Sequence, residues 1–267
     1  MRIVHFLSLL LSVLSVFAQK AKIHTVSTEA GIEVLVDNPE VIPVSVTFSY
    51  EFTNMKSSKG SAFTALVPAE SKNINVATLM PTRKGKYSYK SSYNYFYGDL
   101  NNKEIDPDFA YLLPYETGAS FKLSQGYLSS GTHSAKYALD FTMPINTTVV
   151  AARGGTVFKV IDEFDKTCYR PGCEDFNNVI RIYHEDGTIG EYAHINTNSA
   201  LVKPGDQVKA NQPIAKSGNI GYSSGPHLHF EVAVPTINGT KTIPTKFEIS
   251  TNKQTELLTE GKYYRKK

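Results

Sequence analysis

Apolar and polar residues alternate with a period of two along much of the first hundred positions. Val44, Val46, Phe48, Tyr50 and Phe52 are separated by Ser45, Thr47, Ser49 and Glu51. Phe63, Ala65 and Val67 alternate up to Pro68, and Ile74, Val76, Thr78 and Met80 up to Pro81. In an extended chain successive side chains point to opposite faces, so each run predicts a strand with one apolar face. Ile32 to Val36 adds another, closed by Asp37-Asn38-Pro39. Short strands at this spacing predict a small β-sandwich over residues 19–100. Tyr87, Tyr89, Tyr93, Tyr95 and Tyr97 share one parity, with Ser91 among them. The stripe reads as one half-buried sandwich face, because β-propensity alone explains aromatic strands. The other reading is a glycan-stacking platform.

Residues 101–117 read as a connector, polar at Asn101-Asn102-Lys103-Glu104 and interrupted by Pro107 and Pro114. Strands then restart. Thr156 to Val160, Val179 to Tyr183 and Ile189 to Ala193 are apolar runs, the last two joined through Glu185-Asp186-Gly187, a hairpin signal. A strand running to Val234 starts around Pro226. Helical periods are few and no fixed repeat occurs. The expected fold is all-β: the amino-terminal sandwich, then a second antiparallel β domain over 118–235. Residues 236–267 hold a short strand signal and a basic end, Tyr263-Tyr264-Arg265-Lys266-Lys267, read as solvated by default.

Composition narrows the class. Hydrophobic residues make up 41% of the 267 positions, enough for a real core, and the net charge of +3 carries no basic run that suggests a nucleic-acid partner. No segment reaches the ~18 to 20 apolar residues that a membrane span needs. Met1-Arg2, the mainly apolar Ile3 to Phe17, and small Val16 and Ala18 come in the order of a secretory signal. Residues 1–18 are read as that signal, cut before Gln19, with the protein exported to a periplasmic or extracellular space. Export favours a disulfide between Cys168 and Cys173, with Pro171-Gly172 supplying the turn. A free thiol pair and half of a metal site are the alternatives. The sequons at Asn146 and Asn238 read as chance.

The candidate chemistry sits in the second domain. His227-Leu228-His229 opens a strand, so both imidazoles share a face. Alone, the pair is equally well two solvated histidines. Asp140 lies inside the apolar run Tyr137-Ala138-Leu139-Asp140-Phe141, where an unpaired carboxylate is costly. His194 ends a hairpin strand, and the Gly-rich stretch Ser217 to Gly225 runs into Pro226-His227. Two histidines and an aspartate can hold a catalytic Zn²⁺ with one open position.

These phrases resemble the M23 family of zinc metallopeptidases, the LytM or lysostaphin-type domain. The matching stretches are Tyr-Ala-Leu-Asp-Phe-Thr-Met-Pro (137–144), Val-Val-Ala-Ala-Arg-Gly-Gly-Thr-Val (149–157), Glu-Tyr-Ala-His (191–194), Val-Lys-Pro-Gly-Asp-Gln-Val (202–208) and Ser-Gly-Asn-Ile-Gly-Tyr-Ser-Ser-Gly-Pro-His-Leu-His-Phe (217–230). They fall in family order over about residues 118–235. The resemblance implies an endopeptidase that cuts peptide cross-links of bacterial peptidoglycan, with one Zn²⁺ per chain. It makes Asp140 and His229 zinc ligands, and His194 and His227 the histidines that orient water and stabilise the tetrahedral intermediate. The family's other ligand usually stands four positions before the aspartate, which here is Lys136, and a protonated Lys cannot ligate. His133, seven residues before Asp140, is the expected replacement, returned to the metal by a loop bulge. Tyr127 resembles a family tyrosine near the active site. Its hydroxyl either donates to the oxyanion or packs.

Two other classes remain in view. Some domains of this kind lack metal and bind peptidoglycan or regulate another hydrolase; an intact ligand set separates the two. A lipoyl-type carrier is suggested by Val202 to Ile214, but no Lys sits at a hairpin tip in a carrier phrase. His184, Arg153 and Arg181 read as ordinary strand or turn positions.

Overall fold

The structure, a computed structural model, describes residues 21–102 and 104–267. The signal read in residues 1–18 lies outside the described residues. Among those residues the helical turns are two short 3-10 turns, Gly131–His133 and Glu174–Phe176, and the chain is all-β. No helix among the described residues is long and apolar enough to cross a membrane.

The alternating runs of the first hundred positions form two sheets. Lys22–Thr28, Gly31–Asn38, Ser71–Pro81 and Met55–Ser57 make one, in that spatial order, and Ala62–Val67, Val44–Thr53 and Ser88–Tyr97 the other. Their inward residues, among them Val36, Val46, Phe48 and Leu79, share one apolar core. Tyr89, Tyr95 and Tyr97 pack half-buried against that core, whereas Tyr87 and Tyr93 stay exposed. Most of the stripe is therefore core edge.

The second domain is organised by a nine-stranded antiparallel sheet. Its order runs Gln207–Val208, Gly155–Ile161, Val179–Tyr183, Ile189–Ala193, His227–Thr236, Ala138–Thr142, Ser120–Gln125 and Tyr263–Arg265, with Gly239–Thr242 also paired to His227–Thr236. Leu228, Phe230 and Val232 point to the buried face and meet Tyr192, Leu139 and Phe141. Each such side chain contributes about 1.5 to 3 kcal/mol through burial.

Two expectations about the ends of this domain need correcting. The stretch read as a connector supplies Tyr111, Leu113 and Tyr115 to the core, and Ala110–Tyr111 pairs with Lys246–Glu248. Polar residues and prolines there marked irregular backbone, but not exposure. The basic end is not a solvated tail either. Tyr263–Arg265 pairs with the strand Ser120–Gln125, which carries Lys266 inward. The Lys266 ammonium is 5% exposed as a residue and donates to Leu113 O at 2.8 Å and Asn211 Oδ1 at 2.7 Å.

The sandwich stands on the open face of the large sheet. Tyr97 lies 5.1 Å from Phe158 between ring centroids, Ile42 joins Phe158 and Ile189 in a small buried cluster, and Gly98 packs against Pro235. On the strand His227–Thr236, residues 227, 229, 231, 233 and 235 share a face. The sandwich therefore touches the same face that carries His227 and His229, about 20 Å along the strand from His229.

Candidate metal centre and catalytic cleft

Strand pairing builds the centre. His229 lies directly opposite Asp140 on one side and Ala193 on the other. Leu228 turns into the core and leaves His227 and His229 on the open face. Asp140 Oδ1 lies 2.9 Å from His229 Nδ1, 3.4 Å from His133 Nε2 and 3.7 Å from His227 Nε2. The ligand atoms of His133, Asp140 and His229 all lie within 4.8 Å of one another.

His133 arrives by the 3-10 turn Gly131–His133, braced by Gln125, whose amide donates to Ser130 O and accepts from Thr132 Oγ1. Its Nδ1–H donates to Gly126 O at 3.1 Å. In the neutral ring Nε2 then carries a lone pair, and it is buried without a hydrogen-bond partner. It faces the oxygen of Asp140. Two acceptors facing each other in a buried place call for a cation between them. Tetrahedral zinc with bonds of about 2.0 to 2.2 Å separates its ligands by roughly 3.3 Å, close to the spacings here. The donor set thus fits Zn²⁺.

His194 and His227 are placed by the Gly-rich stretch. His194 follows its strand with left-handed backbone, φ 61°, and its Nδ1–H donates to Ile220 O at 2.7 Å. His227 Nδ1–H donates to Gly225 O at 2.8 Å. Both Nε2 lone pairs are left for the cleft, with the ring centroids 4.6 Å apart. Gly221, at φ 87°, lies so close to Asn177 that a Cβ would overlap it. Asn177 Oδ1 in turn accepts from Tyr222 N. A bonded Cys168–Cys173 pair closes the neighbouring loop, as export led one to expect. The cleft over these residues measures about 510 Å³, with Tyr169 and Tyr222 on its wall.

Electrostatics follow from burial and pairing. Burial would raise the Asp140 carboxyl, but the His133 and His229 imidazoles beside it hold it far below the usual carboxylate range. Burial would lower His229, yet its bonds to Asp140 and Glu231 raise it. Burial, with His227 and His229 beside it, pushes His194 down to about 3.

Tyr127 is not brought to this group. Its hydroxyl meets Thr245 Oγ1 at 2.8 Å and also accepts from Thr245 N, so packing, not oxyanion contact, describes it. Lys136, at the spacing where a ligand was first sought, reaches Glu231 Oε2 at 3.6 Å instead. Glu231 Oε2 is also 3.1 Å from His229 Nε2. Sequence reasoning missed Glu231, although its place two residues beyond His229 put it on the same face. Arg153 pairs with Asp186 at 2.8 Å and Arg181 with Glu191 at 2.5 Å.

The fold is an all-β domain in which His133, Asp140 and His229 form a group that could hold a metal ion. Residues 134–244 match Peptidase family M23, and the chain carries an M23 peptidase domain. It is 31% identical over 164 residues to an uncharacterized metalloprotease of Buchnera aphidicola, covering 60% of this chain and 40% of that protein. It is 35% identical over 136 residues to lysostaphin of Staphylococcus simulans, 48% of this chain and 25% of that one. The peptidoglycan DD-endopeptidase ShyC of Vibrio cholerae is 34% identical over 110 residues, 41% of this chain and 22% of that protein. The chain thus spans less than half the length of these relatives. Among solved structures, the lysostaphin catalytic domain is 29% identical, covering 48% of this chain and 88% of that one, with a TM-score of 0.34.

Proposed function

We propose that the chain is an exported zinc metalloendopeptidase that hydrolyses peptide cross-links of bacterial peptidoglycan. The observation that carries this reading is the buried, unpartnered Nε2 of His133 facing Asp140 beside His229. The names of the lysostaphin and DD-endopeptidase relatives support the substrate class. His133, Asp140 and His229 would hold the ion. Bound Zn²⁺ lowers the pKa of water towards ~7 and polarises a carbonyl.

The chain's own residues supply the rest. The carbonyls of Ile220 and Gly225 fix the protons of His194 and His227 on Nδ1, so each Nε2 can accept a proton. Between them the two rings take the proton of the attacking water and return one to the leaving amine. A protonated ring beside the scissile carbonyl also stabilises the tetrahedral anion. The strand pairing sets Asp140 directly opposite His229.

The test is incubation of zinc-loaded protein, residues 19–267, with purified peptidoglycan sacculi. New free amino groups and soluble fragments are expected, both abolished by a chelator and restored by zinc. Zinc uptake with sacculus binding but no new amines would replace this reading with a binding module.

A further inference from the structure

The face of the sheet around His229 holds more charge than its packing requires. Glu231 is 7% exposed and stands directly across the strand pair from Glu191. Like charges opposite one another destabilise a sheet. Each carboxylate takes its own cation: Arg181 reaches Glu191 at 2.5 Å and Lys136 reaches Glu231 at 3.6 Å. A neutral residue at 231 would remove both the repulsion and the burial cost. Glu231 makes one further contact, to the ring nitrogen of His229 that faces away from Asp140.

We propose that Glu231, steadied by Lys136, is a positioning residue that orients His229 for metal binding. This rests on the metal site proposed above. A carboxylate accepting from Nε2–H keeps the ring proton on that nitrogen. The lone pair is then on Nδ1, the atom 2.9 Å from Asp140 Oδ1. The same hydrogen bond fixes the ring's rotation about the strand and raises its basicity as a ligand. On its other flank Glu231 is paired with Ala138, two residues from Lys136. Lys136 therefore works one step behind the metal, at the position where the ligand spacing alone would have placed a histidine.

The experiment measures zinc affinity of the metal-free protein by competition with a chelator, beside Glu231→Ala, Glu231→Gln, Lys136→Ala and the control Glu191→Ala. Glu231→Ala is expected to bind zinc about 10- to 100-fold more weakly. Glu231→Gln keeps an acceptor and is expected to fall between it and the parent. Lys136→Ala, removing a half-exposed pair, is expected to lose only about two- to fivefold. Glu191→Ala should stay within about threefold of the parent, since it touches no ligand. The visible bands of the cobalt-loaded protein should shift in Glu231→Ala and not in Glu191→Ala. Circular dichroism of the zinc-free forms checks the fold, and Glu231→Gln carries the test should the alanine variant not fold. Glu231→Ala at parent affinity, equal losses in Glu231→Ala and Glu191→Ala, or glutamine no better than alanine each overturn the proposal. A parent that takes up no zinc refutes the metal site itself and this role with it.

Discussion

His133 is the residue on which the metal site turns, and replacing it with alanine has two separable consequences. In the metal-free protein Gly126 O loses the Nδ1–H that it accepts. Gly126 O keeps the Ser129 hydroxyl as a donor at 3.0 Å, so the loss is one hydrogen bond of a side chain that is 1% exposed. That costs about 0.5 to 1.5 kcal/mol. At about 2 to 4 °C per kcal/mol for a chain of this size, the melting temperature should fall by roughly 1 to 6 °C. The second consequence is on the metal. Four-ligand zinc sites bind with about 10 to 16 kcal/mol, roughly 2.5 to 4 kcal/mol per ligand. Loss of His133 should therefore weaken zinc by about 100- to 1000-fold. Chelator competition reads the affinity and calorimetry reads the stability. Lys136→Ala, measured alongside, should lose no more than about fivefold. Zinc held by His133→Ala at parent affinity, while Asp140→Ala loses it, would show that another residue is the third ligand and refute the reasoning.

Three further outcomes are expected. His194→Ala and His227→Ala should each lower turnover by about 10²- to 10⁴-fold while zinc content stays at the parent level, because neither is needed to hold the ion; metal analysis beside peptidoglycan hydrolysis checks both. Tyr127→Phe should leave turnover within about threefold and lower stability by about 1 kcal/mol, since the hydroxyl serves Thr245; a hundredfold loss of turnover would restore it to the active site. Burial pushes His184 down to about 4, below its unfolded value near 6.5, so the unfolded chain binds the proton first as pH falls. Its stabilising contribution is present above pH ~6.5 and lost towards pH ~4, up to about 3 kcal/mol, and His184→Gln should flatten that limb of a stability-against-pH curve.

The sequence by itself determined most of the strands and pointed to most of the candidate site. Alternation with period two located Val44–Thr53, because a half-buried strand needs one apolar face, and apolar runs bounded by turn signals located Ile189–Ala193 and the strand beginning at His227. The same periodicity put His227 and His229 on one side, and a carboxylate inside an apolar strand marked Asp140. The bonded cysteines were legible because a signal-like start implies an oxidising space, which favours closing the short loop through Pro171-Gly172. What only the tertiary structure decided depends on register and on backbone outside regular elements. Pairing Asp140 with His229 is a relation between strands 89 residues apart, which no local pattern encodes. His194 reaches the cleft through a left-handed backbone that a side chain seldom adopts, and His133 through a single 3-10 turn. The roles of Tyr127 and Lys136 went the same way. The family resemblance pointed to each position near the metal, but a hydroxyl and an ammonium are drawn to whichever polar partner the fold brings within reach, here Thr245 and Glu231. The burial of Tyr115 and Lys266 has a similar cause: irregular or terminal backbone becomes core when a sheet edge offers it pairing, and sequence periodicity does not see the edge.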